Sequence, residues 1–415
     1  MGVLAITGGP KTMEGSTKAS WPVSDRRELE SLYTVLSQAV HGKNGPAAAR
    51  FEYKFAARSG AAHCILCANG TVSIELILRG LNIGRGDEVI IPPYTFIATV
   101  SSIIFAGATP VFADIEPDTC ALSAASARDK ITPRTRAVMP VYIGGRPADL
   151  DAFAVLAEEA GIHLIGDAAQ AAGSEWRGRG VGSIGAAAAF SCQNSKNLTC
   201  GEGGIITTND GALAENIRTI LGGGKNANGM YSHIGVNHNL SEWQAAILDA
   251  QLDRLDGQIA KRMENAAYLD GLLESIPCVS PLAADKRVTR NTYHLYIFRI
   301  HEDRLDGISR DCFLRALQAE GVEAAAGYAP LHAFPCLTDS YVEDAIGGGI
   351  HIAPDTPVAD RLSYHEAAWL NQSVLLGGRH IIEGVADAIH KVYTHLDELR
   401  RAEDETCKQK RNGRS

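Results

Sequence analysis

The chain has 415 residues, of which 45% are hydrophobic and 21% charged, and its formal net charge is -9. That size and composition suit a globular enzyme of two domains with a substantial core. The acidity excludes nucleic acid and membrane surfaces as partners, since both call for a positive field.

No apolar run reaches the length of a membrane span, and the start, Met1 to Gly9, lacks the charged and long apolar regions of a signal peptide. A cytoplasmic location is expected. The nine cysteines are scattered through apolar segments and read as reduced. Cys64-Ile65-Leu66-Cys67 has metal-site spacing but stands alone inside an apolar run, so two core thiols, no metal and no disulfide are expected.

Residues 1–22 carry few periodic apolar positions and read as an arm lying on the body or on a neighbouring subunit. Ser24 or Asp25 caps a helix that runs to about Val40 and breaks at His41 to Pro46. Phe51 to Ser59 is helical, and Cys64 to Ala68 is a short strand. Asn69-Gly70-Thr71 then opens a helix through Leu81. A glycine turn opening a helix after a strand offers free N–H groups and the positive end of the helix dipole to a phosphate. Strands at Val89–Ile91, Thr109–Ile115 and Arg136–Val141 alternate with helices, which means an α/β fold with a largely parallel sheet covered on both faces.

The next strand, Ile162 to Asp167, ends on a carboxylate. A later apolar run, Ile184 to Phe190, leads into Ser191-Cys192-Gln193-Asn194-Ser195-Lys196, and Ile205 to Thr208 leaves as a strand. Such sheets place ligands at the carboxyl ends of their strands, where Asp167, Ser191 and Lys196 fall. Burial lowers a lysine pKa and makes its amine nucleophilic. A carboxylate and a lysine so placed suit pyridoxal phosphate, the aspartate holding the pyridine nitrogen protonated and the lysine forming the Schiff base.

These segments resemble the DegT-type family of pyridoxal-phosphate sugar and cyclitol aminotransferases, of fold-type I. The resemblance runs from Leu4 to about Leu396. It rests on Gly166-Asp167-Ala168-Ala169-Gln170, on Phe190-Ser191 through Lys196, and on Gly201-Glu202-Gly203-Gly204. It implies an arm (1–22), a cofactor-binding large domain (23–262), a smaller C-terminal α+β domain (263–396) and a charged tail (397–415).

On that resemblance Lys196 and Asp167 are catalytic. Gly70, Thr71 and Ser191 grip the cofactor phosphate, Phe96 stacks on the ring, Gln170 reaches the phenolate oxygen, and Gln193 stands where relatives acting on nucleotide sugars often carry histidine. Asn239 matches an asparagine that binds the partner subunit's cofactor phosphate, so a homodimer with shared active sites is implied. Tyr231, Tyr328 and His332 match segments near the substrate. The branch resembled is that of inosose aminotransferases and aminohydroxybenzoate synthases, carried by Gln193, the Trp21-Pro22 stretch and Glu366 to Leu370. It implies glutamine or glutamate as donor and a keto-cyclitol as acceptor. A nucleotide-linked keto-sugar, an aminohydroxybenzoate-type reaction and a non-catalytic cofactor-binding regulator remain as alternatives.

Overall fold

The computed structural model describes residues 2–15, 18–350 and 354–403. Short apolar strands separated by helices build a seven-stranded sheet. In chain order these are β1 (His63–Cys67), β2 (Glu88–Ile91), β3 (Thr109–Phe112), β4 (Thr135–Val138), β5 (His163–Asp167), β6 (Ala187–Ser191) and β7 (Gly204–Thr208). Their spatial order is β1-β7-β6-β5-β4-β2-β3. The pairs from β6 to β3 are parallel, and β7 runs antiparallel to both its neighbours. β5 and β6 are buried or nearly so along their length because helices cover both faces of the sheet.

The helices that bear on the site are α1 (Arg26–Gln38), α2 (Pro46–Ser59), α3 (Gly70–Gly80), α4 (Ala98–Phe105) and α5 (Leu150–Ala160). Asp25 caps α1, with Glu28 completing a capping box, and α1 stops two residues before the expected Val40 where Ala39 turns left-handed (φ 54°). Pro46 occupies the first turn of α2. There the Glu242 carboxylate takes the N–H groups of Ala47 and Ala48, satisfying donors that a helix start leaves over.

After α6 (Gly211–Leu221) comes the long helix α7, Glu242–Leu273, opened by a Ser241/Gln244 capping box. It begins later than the expected Asn237 and continues well past Arg262. The domain boundary expected at 262/263 therefore falls inside an unbroken helix. One half of α7, including Leu248, Leu255 and Ile259, packs into the large-domain core. The other half, with Ala266, Leu269 and Leu273, packs into the core of the small domain. That domain is an antiparallel sheet, β8 (Val279–Pro281), β9 (Leu295–Ile300), β10 (Ala324–Ala325) and β11 (Ala367–Asn371), flanked by α8 (Arg310–Ala319) and α9 (Arg379–Thr394).

The single strand expected over Arg290–Ile300 is broken. Val288–Arg290 pairs with Glu175–Trp176 in a separate small sheet, and β9 starts only at Leu295. Tyr293 sits between them with φ 47°, a left-handed turn rare for an aromatic residue.

The arm lies on the small domain of its own chain. Leu4 and Met13 are buried there. The buried Glu320 accepts from Ala5 N–H (2.8 Å) and Thr12 N–H (2.9 Å) and pairs with Lys391 at 2.7 Å. The tail expected from 397 onward is helical to residue 403, with Leu399 buried and Glu398 accepting from Val3 and Leu4 N–H. Residues 404–415 of that expected tail lie outside the described residues. Among the described residues, no helix is long and apolar enough to cross a membrane.

Because Glu242 is buried and closes the start of α2 from the start of α7, Glu242→Ala strands backbone donors in the interior. The expected cost is about 2 kcal/mol, read as a lower thermal midpoint with an unchanged fold by circular dichroism.

Candidate active site

The last residue of β5 is Asp167, the last of β6 is Ser191, and α3 begins beside them at Gly70. These ends converge on a cavity of about 560 Å³, which also takes in Phe96, Thr99, Gln170, Gln193, Lys196, His294 and Tyr328.

At its phosphate-sized corner, Asn69 caps α3 by accepting from Val72 N–H at 3.0 Å, and its carbonyl accepts from Ser73 N–H at 3.0 Å. Among the described residues, the N–H groups of Gly70 and Thr71 have no hydrogen-bond acceptor. A Cβ on Gly70 would lie 2.8 Å from that of Ser191, so only glycine lets the helix start approach β6 so closely. Free N–H groups, a serine hydroxyl and the positive helix end together make an anion site worth about 1 kcal/mol from the dipole alone.

Asp167 is buried. Its Oδ2 accepts from Thr99 Oγ1 at 2.8 Å and its Oδ1 from Ala169 N–H at 3.2 Å. No lysine or arginine of the described chain forms an ion pair with it. Burial pushes its pKa up, while the Thr99 and Ala169 hydrogen bonds and the Lys196 charge pull the other way. Lys196 also lines the cavity, and its amine makes no hydrogen bond or ion pair with the described protein. Burial lowers it from 10.5 to about 8, against the opposing pull of the Asp167 carboxylate. A carboxyl without a cationic partner and an amine far easier to deprotonate than an ordinary lysine thus face one cavity.

Gln193 turns back on its own loop, its Oε1 accepting from both Ser195 N–H and Ser195 Oγ at 2.8 Å, which shapes the turn into Lys196. Gln170 accepts from Gly144 N–H through Oε1 (2.7 Å) and donates through Nε2 to Tyr328 Oη (3.1 Å). Tyr328 stands edge-on to Trp369, with ring centroids 4.7 Å apart, and Phe96 lies exposed at the rim 6.4 Å from Tyr328.

Three expected residues do not line the cavity. Asn239 donates to Leu221 O (3.4 Å) and Asn237 Oδ1 (2.8 Å). Tyr231 is exposed, with the Lys225 ammonium 5.1 Å from its ring centroid. His332 is turned to Asp360 (3.1 Å) and packs on Phe112. Conversely, Thr95, Thr99, Glu202 and His294 line the cavity without having been singled out from the sequence. Thr99 follows the stretch read only for its aromatic residue. His294 had a signal of its own, a histidine entering an apolar strand.

The family model for DegT/DnrJ/EryC1/StrS aminotransferases matches residues 22–374. The chain belongs to that family. It is accordingly an aminotransferase. The chain is 37% identical over 410 residues to an L-glutamine:2-deoxy-scyllo-inosose aminotransferase of Streptoalloteichus tenebrarius, spanning 92% of this chain and 95% of that one. It is 38% identical over 318 residues to a GDP-perosamine synthase of Caulobacter vibrioides, covering 76% and 85%. Among solved structures, 3-amino-5-hydroxybenzoic acid synthase superposes with a TM-score of 0.82 at 33% identity, covering 92% of this chain and 99% of that one.

The lowered Lys196 pKa has a measurable signature. In cofactor-free protein, borohydride trapping of a small aldehyde on Lys196 should climb with pH and level off just above about 8. Surface lysines should go on gaining toward their ordinary value near 10.4. Peptide mass mapping of the trapped adduct separates the two.

Proposed function

We propose that this aminotransferase uses pyridoxal phosphate to carry an amino group from glutamine or glutamate to a keto-cyclitol. The observation that carries the cofactor reading is the buried Asp167, a carboxylate with no cation of its own facing the same cavity as an unpaired Lys196 amine. Asp167 would balance a protonated pyridine nitrogen, the N–H groups of Gly70 and Thr71 with Ser191 would hold the phosphate, and Lys196, with its lowered pKa, would hold the aldehyde carbon. When bound, the cofactor supplies an electron sink for the substrate's Cα–H bond electrons.

The chain's own residues do the rest. Lys196, with its amine free, would move the proton at the substrate's Cα. Asp167, steadied by Thr99 and Ala169, holds the ring nitrogen charged. Gln170 is part of a wall with Tyr328, and Phe96 at the rim offers a ring face to an aromatic cofactor.

The keto-cyclitol acceptor is supported by the long, full-length likeness to the inosose aminotransferase. A nucleotide-linked keto-sugar is the second reading, supported by the comparable identity to GDP-perosamine synthase over a shorter stretch. The same reading includes a homodimer. On α1, Leu29, Tyr33 and Leu36 are 69%, 72% and 57% exposed and recur at helical spacing, an apolar stripe left uncovered by the described residues. Met230, Tyr231 and Ile234, also exposed, lie on the loop that leads to Asn239. In the dimer we propose, that loop reaches the partner's cofactor.

The test is purified protein with pyridoxal phosphate, glutamine and 2-deoxy-scyllo-inosose, followed by mass spectrometry of the amino product. The expected result is an amino-cyclitol, with Lys196→Ala slowing turnover by at least about 10³-fold. Amination of a nucleotide-linked keto-sugar alone would reverse the choice of acceptor. Separately, Tyr33→Glu with Leu36→Glu should shift the protein toward monomer in analytical ultracentrifugation and lower its activity; an unchanged mass would refute the stripe as the interface.

A further inference from the structure

His294 enters the cavity from the small domain, immediately after the left-handed Tyr293. The turn there is held by Asn291, whose Oδ1 accepts from Tyr293 N–H at 3.1 Å. A positive φ at an aromatic residue costs energy and persists where the surroundings enforce it, often at a functional site. Its effect here is to end one small sheet and deliver His294, rather than a flat continuation of the strand, to the cavity that holds Lys196.

The ring's polarity is fixed by its neighbours. Asn197, the residue after Lys196, donates its Nδ2 to Thr292 O at 2.7 Å. That bond settles which end of the amide is which, so Asn197 Oδ1 is the atom 3.3 Å from His294 Nδ1. An amide oxygen only accepts, and Nδ1 must therefore carry the proton. Nε2 is left with its lone pair, and no described residue hydrogen-bonds to it. Burial, then the charges of Lys196 and Arg262, push the His294 pKa well below its ordinary value. The ring stays neutral across the physiological range, so Nε2 remains an acceptor.

We propose that His294 is a specificity residue whose Nε2 accepts a hydrogen bond from a ring hydroxyl of the acceptor substrate, beside Lys196. This rests on the keto-cyclitol reading above. A polyhydroxylated ring brings many donors into the cavity, and a site with a fixed acceptor binds a ligand that fills it better than one that leaves it unpaired. Asn197 and Thr292 act through His294 as positioning residues.

Two readouts test the assignment. The first is the ¹⁵N spectrum of the His294 ring in the full-length protein, with and without pyridoxal phosphate, from pH 5.5 to 8. A neutral ring protonated on Nδ1 is expected throughout; an Nε2–H tautomer or an imidazolium at neutral pH overturns the proposal whatever the substrate is. The second compares wild type with His294→Phe on keto-cyclitols that each lack one ring hydroxyl. His294→Phe should raise KM about tenfold for the fully hydroxylated acceptor, and one deoxy analogue should serve both proteins equally. A uniform loss across every analogue means His294 only supports the fold and overturns the proposal. If wild type aminates no keto-cyclitol at all, the substrate reading fails and takes the hydroxyl partner with it, a result distinct from a wrong tautomer. Asn197→Asp supplies a further check. A carboxylate at Nδ1 should raise the ring pKa and make KM for the acceptor rise as pH falls, a pH dependence that wild type lacks.

Discussion

The site depends on two charges of opposite kind placed where neither forms an ion pair among the described residues. Asp167 is sunk at the end of a buried strand, braced by one hydroxyl and one backbone N–H but by no cation. Lys196 comes to the same cavity from the next strand over, its ammonium discouraged by burial. Either group alone is a cost to folding, because a buried ion without a partner is poorly compensated. Together they define a cavity that a molecule with a cationic nitrogen and an aldehyde completes. The sheet makes this possible, since adjacent parallel strands deliver their last residues to one edge.

Close packing then fixes how near the parts come. β6 and the start of α3 touch across a glycine, so the serine hydroxyl and the helix N–H groups share one corner. Asn69 spends its side chain and carbonyl on Val72 and Ser73 and leaves the first N–H groups of the helix unclaimed. On the opposite wall Gln170 and Tyr328 are joined through an amide whose oxygen is already taken by Gly144. Hydrogen-bond direction around the cavity is thus set before any ligand arrives, which is the preorganisation that transfer chemistry exploits.

Much of this could be read from the sequence. The strand endings at Asp167 and Ser191, the glycine turn before α3 and the loop to Lys196 all depend on local patterns, and the structure brings these residues into one cavity. Residues whose placement depends on distant packing were less legible. Thr99 reaches Asp167 across 68 positions of chain. His294 is aimed by a backbone turn at Tyr293 that hydrophobic alternation hides, since Tyr293-His294-Leu295-Tyr296 reads as plain strand. His332 follows a segment matched to relatives, yet its ring is drawn to Asp360 and Phe112. Around Arg262 helix propensity carries straight through, and only the tertiary contacts pass from one core to the other.

The unbroken α7 has a mechanical consequence. A hinge needs a few residues whose backbone angles can swing without breaking bonds, and the peptide units around Arg262 are committed to intrahelical hydrogen bonds. The guanidinium of Arg262 is itself clamped by Gln372 and stacked beneath Trp21. Along this connection the two cores are joined by a strut rather than a joint. Admission of substrate is then left to loops and side chains at the rim, and the spacing between Lys196 on one body and His294 on the other is a property of the scaffold. The same strut ties the two cores into one cooperative unit, so that losing either end of the helix loosens the other.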